Sequence, residues 1–210
     1  MNPRHIFDAA AILSCSVMAV LVSIDRHRRF GAAMTVGAVA SVAGGTLRDL
    51  CLGSTPVFWV REPWQIYLAL AATAAIYLPF RKGTTSERTL QVPDALSVAI
   101  PGAIGARASL DLGHGSAVAC VIGVVAGMIG GILRDLLCQR QPAVLKRELY
   151  GATALIGSAV VCLLDRAGLG AGSQLLAGSL IGAGARVGSV RYHVSFGRLL
   201  LGEPIRKPSR

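Results

Sequence analysis

The chain has 210 residues, 53% hydrophobic and only 15% charged, and its 21 basic and 11 acidic side chains leave a formal charge of +10. A soluble domain carries about 25% charged residues, so an ordinary soluble fold is excluded. The apolar content excludes disorder, and five scattered cysteines with no CxxC pair exclude a disulfide scaffold.

Charge-free runs follow one another at 9–24, 30–47, 63–80, 95–106, 112–133, 149–164 and 167–185. Six of them are 16 to 22 residues long, close to the ~20 that carry a helix across the hydrocarbon layer. The fourth has 12, and is expected to span with Arg107 snorkelling to a headgroup and Asp94 at the opposite interface. All are apolar or small on every face, which is not the pattern of surface helices. The first run follows Arg4 as a signal peptide would, but Asp8 interrupts its start and no A-x-A-like site is followed by a soluble mature domain. Ile12-Leu13-Ser14-Cys15 also places a bulky residue where lipoprotein cleavage wants a small one. The expectation is an all-α integral membrane protein of seven transmembrane helices, the first left uncleaved.

Shifting the chain by 86 residues superposes its first part on its second without a gap. Asp8 meets Asp94, Asp25 meets Asp111, Gly37 meets Gly123, Pro56 meets Pro142, and Arg61-Glu62 meets Arg147-Glu148. The core of the match is Gly44-Gly45-Thr46-Leu47-Arg48-Asp49-Leu50 on Gly130-Gly131-Ile132-Leu133-Arg134-Asp135-Leu136. Each unit holds three helices, an odd number, so the second must enter the membrane from the opposite side. Charge agrees: Arg26, Arg28 and Arg29 follow the first helix, whereas the equivalent loop after the fourth has only His114. The loop after the second helix holds Arg61, and its counterpart holds Arg140, Lys146 and Arg147. Equivalent loops thus exchange their positive charge, as inverted copies require.

The division expected is a first three-helix repeat at 1–80, a cytoplasmic linker at 81–93, an inverted repeat at 94–165, a seventh helix at 166–190 and a basic tail at 191–210. Arg26, Arg28, Arg29, Arg81, Lys82, Arg88, Arg140, Lys146, Arg147, Arg191, Arg198, Arg206, Lys207 and Arg210 fall on one side, 14 in all, against Arg4, Arg61, Arg107 and Arg166 on the other. The N-terminus is therefore expected outside and the tail in the cytoplasm of a prokaryotic inner membrane. The basic excess becomes a topology signal, with no nucleic-acid partner implied.

The second and fifth helices carry the unusual residues. Gly37, Ser41, Gly44 and Arg48 share one helical face, and Gly123, Gly127, Gly130 and Arg134 repeat it. Small residues at this spacing permit close crossings, and the pairs Gly44-Gly45 and Gly130-Gly131 weaken the helix enough for a bend or an unwound turn. Arg48, Asp49, Arg134 and Asp135 lie at or just inside the membrane ends, where charges usually face the bundle interior or a water path. Adjacent positions point about 100° apart, so Arg48 is expected to meet the other repeat while Asp49 braces a loop. Three roles stay open for these pairs: structural clamps, lining or gating of a pathway, and interfacial anchors. Ser14, Ser16, Ser41 and Thr46 offer oxygens to a hydrated cation or bond back to their own helices. Asp8 and Asp94 read as helix caps, Pro101-Gly102 and Gly105 as a bend, and Gly178, Gly182, Gly184 and Gly188 as packing positions. The four histidines are dispersed, and no nucleophile–base motif, phosphate loop or metal spacing occurs. The chain is not read as an enzyme, and no cofactor is expected.

Ala43-Gly44-Gly45-Thr46-Leu47-Arg48-Asp49, Pro56-Val57-Phe58-Trp59, Ile129-Gly130-Gly131-Ile132-Leu133-Arg134-Asp135 and Glu148-Leu149-Tyr150-Gly151-Ala152 together resemble the prokaryotic trimeric intracellular cation (TRIC) channels, which are related to the bacterial glycine-transporter domain family. The resemblance covers roughly residues 6–190. Ala43 and Ile129 stand where that family often has a third glycine. The resemblance implies a homotrimer with a water-filled path in each protomer for monovalent cations, potassium or sodium, bordered by kinked second and fifth helices and surrounded by membrane lipid. The residues implied at the pore or gate are Gly44, Gly45, Thr46, Arg48, Asp49, Gly130, Gly131, Arg134, Asp135, Ser16 and Ser41. A secondary transporter of a small solute such as glycine is the alternative, since inverted repeats serve both classes. A structural or assembly protein is the third.

Overall fold

The computed structural model describes residues 3–25, 29–81, 87–146 and 150–191. Among them are nine helices and no strand: α1 (Pro3–Asp25), α2 (Phe30–Cys51), α3 (Phe58–Arg61), α4 (Trp64–Phe80), α5 (Glu87–Asp111), α6 (Ser116–Leu137), α7 (Ala143–Lys146), α8 (Tyr150–Arg166) and α9 (Ala171–Arg191). Seven run for 17 to 25 residues and coincide with the seven charge-free runs. The other two, α3 and α7, are four-residue helices inside stretches read as loops.

Among the described residues, only α1 (from Arg4), α2 and α6 are long and apolar enough to cross a membrane on length and composition alone, with mean hydropathies of 2.1, 1.5 and 2.3. Charged side chains inside α5 and α9 give the physical reason these two fall short. Asp94, Arg107 and Arg186 sit within those helices, where neighbouring helices can screen them from lipid.

Helix α5 is the centre of the molecule and packs against α1, α6, α8 and α9. The 12-residue fourth run underestimates it, because the helix continues through its flanking charges and includes Pro93 and Pro101. Ala95, Ala99, Ala103 and Ala106 are fully or almost fully buried on it, and such small side chains allow neighbouring backbones to come close. One apolar cluster joins Met18, Val22, Val36 and Ala40 of α1 and α2; another joins Ile100, Ala103, Ile104, Val161 and Leu175 of α5, α8 and α9.

Arg107 does not snorkel to lipid. It donates to Asp165 at 2.6 Å and Gln174 at 2.7 Å and pairs with Asp111, tying α5, α8 and α9 together at one end. Asp8 and Asp94 are not caps either, because α1 and α5 begin five and seven residues earlier, at Pro3 and Glu87. Their carboxylates project from helix interiors, and Asp94 is only 7% exposed.

Helices α2 and α6 cross antiparallel. A side chain added at Gly44 would collide with the carbonyl oxygen of Ala126, and one at Gly130 would collide with that of Ala40. Each glycine therefore rests on the alanine four residues before the other, so the contact is reciprocal under the 86-residue shift. Both helices run unbroken through their glycine pairs, so the unwound turn entertained from sequence is not formed. Gly45 lies against the Phe58 ring and Gly131 against the Tyr150 hydroxyl; the absent side chains make room for neighbours rather than for a break. Gly178 and Gly182 pack against Gly157, whereas Gly184 and Gly188 have no neighbour within 4 Å where a side chain would extend.

Of the residues that carry the charge count, Arg26, Arg28, Lys82, Arg147, Arg198, Arg206, Lys207 and Arg210 lie outside the described residues, as do Glu148, Leu149 and the tail from 192. Of Arg88 and Lys146 only the backbone is described.

Candidate functional site

Two adjoining hollows lie inside the chain. The larger, of about 310 Å³, opens at the end of the molecule formed by the start of α1, the end of α2 and the end of α5, and is lined by Arg4, His5, Asp8, Arg48, Asp49, Arg61, Glu62, Gln65 and Asp111 among others. The smaller offers about 30 Å³ to water centres, room for about two waters at 10–15 Å³ each. It runs between α1, α2, α5 and α6 past Cys15, Ser41, Gly44, Gly45, Ser97, Ala126 and Gly130. Asp8, Arg48 and Phe58 line both hollows, and their side chains form the shared wall, or neck, where the two adjoin.

The neck is built from the Arg-Asp pair of the first repeat. Asp49, 4% exposed, accepts from Arg48 Nε at 2.7 Å through Oδ1 and from the Phe58 backbone N–H at 2.7 Å through Oδ2. Its own carbonyl accepts from Ser54 N–H at 2.8 Å. The Asp49 side chain thus fixes the start of α3, and Phe58 in turn lies under the Arg48 guanidinium at 5.4 Å. Adjacent positions on a helix do pair here, contrary to the expectation that they point apart, because the long Arg48 side chain curls back over its neighbour. Within the larger hollow, Glu62 lies outside the membrane-spanning helices. The Trp64 indole N–H, donating at 2.9 Å, holds its carboxyl below the usual carboxylate range.

The second repeat copies this brace. Arg134 Nε donates to Asp135 Oδ1 at 2.9 Å, Asp135 Oδ2 accepts from Ala143 N–H at 3.0 Å at the start of α7, and the Asp135 carbonyl accepts from Arg140 N–H at 2.8 Å. Here the guanidinium is 2% exposed and borders neither hollow. It lies 3.5 Å from Asp94, whose other oxygen accepts from Arg186 of α9.

The residues singled out from sequence therefore divide. Gly44, Gly45, Arg48, Gly130 and Ser41 border the smaller hollow, and Asp49 the larger. Ser16 is fully buried behind it, 3.0 Å from the Ser41 hydroxyl, where it links α1 to α2. Thr46 bonds back to Val42 O at 2.7 Å and accepts from the Trp59 indole at 3.0 Å, so it holds α3 and borders neither hollow. Gly131, Arg134 and Asp135 are likewise packed into the interior. Asp8 and Asp94 had a sequence signal, their repetition 86 residues apart, which the capping explanation absorbed. Tyr150 stood in a motif without a role, and Arg186, which is 1% exposed, lies outside the repeated positions that drew attention in the sequence.

A model of the family described as glycine transporter matches residues 5–81 and again 91–166, so two copies fall on the two repeats. The UPF0126 membrane protein of Vibrio cholerae is 33% identical over 165 residues, 77% of this chain and 68% of that protein. The UPF0126 inner membrane protein YadS of Escherichia coli K12 is 33% identical over 128 residues, 60% of this chain and 62% of its own. Among solved structures, the TRIC trimeric intracellular cation channel orthologue from Rhodobacter sphaeroides superposes with a TM-score of 0.85 at 31% identity, covering 92% of this chain and all of that one. A prokaryotic TRIC channel crystallised in 0.5 M KCl superposes at 0.83, covering 90% and 96%; its 21% identity speaks for the fold alone. With relatives named as membrane proteins and helices of this apolarity, the chain is a multi-pass membrane protein.

Proposed function

The chain belongs to the prokaryotic TRIC channel family and to the glycine-transporter family whose model it matches twice, and from that premise we propose that each protomer conducts monovalent cations, potassium foremost, through its own interior. The observation that carries this reading is the polar neck of Asp8, Arg48 and Phe58 shared by two hollows within a single chain. A cation entering the wide hollow meets the carboxylates of Asp8, Glu62 and Asp111, which with Asp49 offset Arg4, Arg48 and Arg61 and provide several weak sites rather than one deep one. Arg48 at the neck, held aside by Asp49 and Phe58, is the residue that sets the bore. Gly44, Gly45 and Gly130 keep α2 and α6 slim where the path narrows, and Ser41 supplies an oxygen there.

The same reading includes seven membrane-spanning helices arranged as two inverted three-helix repeats, 1–80 and 94–165, plus α9. The antiparallel crossing of α2 and α6, equivalent elements of the two repeats, supports that inversion. It also includes a homotrimer in membrane lipid, with the N-terminus outside and the basic tail in the cytoplasm. The open glycine face of α9 at Gly184 and Gly188 suits close helix packing between protomers.

The test is single-channel recording of the purified, reconstituted protein in asymmetric potassium chloride. A reversal potential near that of potassium supports the reading, and silence across voltage and calcium conditions overturns it. The name of the matched family favours a second reading, a carrier for glycine or a similar solute. Saturable glycine uptake into proteoliposomes without unitary currents would establish that one instead.

A further inference from the structure

The two repeats place the same four residues differently, and the difference lies in one side chain from outside both. Asp94 and Arg134 correspond to Asp8 and Arg48 by the 86-residue shift. Asp8 and Arg48 border both hollows, whereas Asp94 and Arg134 border neither. The small hollow stops at Ser97 on α5 and Gly130 on α6, three and four residues short of Asp94 and Arg134, or about one helical turn. The Asp94 carboxylate lies between Arg134 of α6 and Arg186 of α9, about one turn past the last α5 and α6 residues that line the small hollow.

What fills that position is Arg186 of α9, a helix with no counterpart in the first repeat. Its Nη2 and Nε donate to Asp94 Oδ2 at 2.8 and 3.2 Å. Its guanidinium lies 4.3 Å from the centre of the Tyr150 ring. The other carboxylate oxygen, Asp94 Oδ1, faces Arg134 Nη2 at 3.5 Å without a hydrogen bond, and the Tyr150 hydroxyl has no hydrogen-bond partner, although both are buried. A buried ionic cluster is weak evidence for stability, since an apolar core of the same shape serves as well or better. A buried hydroxyl without a partner and a carboxylate oxygen held only by a long ion pair strengthen the case that the arrangement serves something other than folding.

We propose that the Arg186 guanidinium is a tethered cation that occupies the carboxylate site of Asp94 and shuts the path on the α9 side. Its displacement opens that end and leaves Asp94 as an internal site for a permeating monovalent cation. The inference rests on the protomer's being a cation path. A fixed guanidinium repels an approaching cation strongly in a low-dielectric interior, and while it holds Asp94 Oδ2 it competes for the carboxylate charge nearest the closed end. Asp135 cannot substitute, because its two oxygens are already committed to Arg134 and the Ala143 N–H.

The test compares the full-length wild type with R186K, R186Q and D94N/R186Q in planar bilayers with potassium chloride, after checking that each variant elutes as the wild-type oligomer. R186Q is expected to raise the open fraction several-fold, while R186K keeps the charge and stays near wild type. D94N/R186Q is expected to open as well, but with a smaller current than R186Q at low potassium, because the internal carboxylate is gone. A folded R186Q whose open fraction equals or falls below that of wild type overturns the proposal. Should R186Q not assemble, the double variant carries the same criterion, since it leaves no unpaired carboxylate. Conducting wild type with unchanged variants defeats this inference alone; silence of every protein defeats the cation path with it.

Discussion

Gly44 and Gly130 show how much one missing methyl group decides. At each, a Cβ would enter the carbonyl oxygen of an alanine on the opposite helix, and backbone cannot move aside as a flexible side chain can. Such overpacking typically costs about 1–3 kcal/mol, so G44A and G130A are each expected to lower the unfolding temperature in detergent, whereas G31A, with open space around it, is expected to leave it unchanged or raise it. Equal behaviour of the three would contradict the crossing. These glycines were legible in the sequence because they recur at helical spacing and twice over. Arg186 was not, since it is a single charge whose partner lies 92 residues away, and no periodicity links the two. Asp8 and Asp94 were legible as a pair but not in their role, because a residue near the start of a charge-free run looks like a cap until the helix is seen to begin earlier.

Helices α3 and α7 depend on the aspartates that precede them. A hydrogen bond to a charged group contributes about 1.5–3 kcal/mol, and each of these carboxylates takes one from a backbone N–H and one from an arginine. D49N and D135N are expected to speed amide hydrogen exchange at Phe58 and Ala143 respectively, each without affecting the other repeat. Exchange unchanged at both amides would show that the loops are held by something else. At this scale the long helices were read closely from runs without charge, because a membrane-spanning helix tolerates few. The exception, α5, outran its 12 apolar residues because Asp94 and Arg107 find ionic partners inside the bundle and need not mark its ends. The four-residue helices had no readable signal; a single turn has no period.

For the molecule as a whole, the proposed topology puts the end of α2, and with it the wide hollow, on the outer side. Cys51 ends α2 and is exposed, while Cys15, Cys138 and Cys162 are buried. A membrane-impermeant maleimide is therefore expected to label intact cells at Cys51 and to lose that labelling in C51S. Labelling only after lysis would reverse the orientation. The 86-residue repeat was fully readable from sequence, and the twice-matched family model follows it. Its functional asymmetry was not, because the element that breaks the symmetry, α9, comes after both copies and resembles neither.

The reciprocal seating of Gly44 on Ala126 and Gly130 on Ala40 has a mechanical consequence. Two rods held together near one point and free at their ends act as scissors: they can pivot but not part. Spreading at the wide mouth would then reach the far end as rotation about the crossing, leaving the seated glycines in contact. In the proposed conduit, changes of width would then come from the wall facing the crossing, α1 and α5, and from Arg186 of α9, rather than from a parting of α2 and α6.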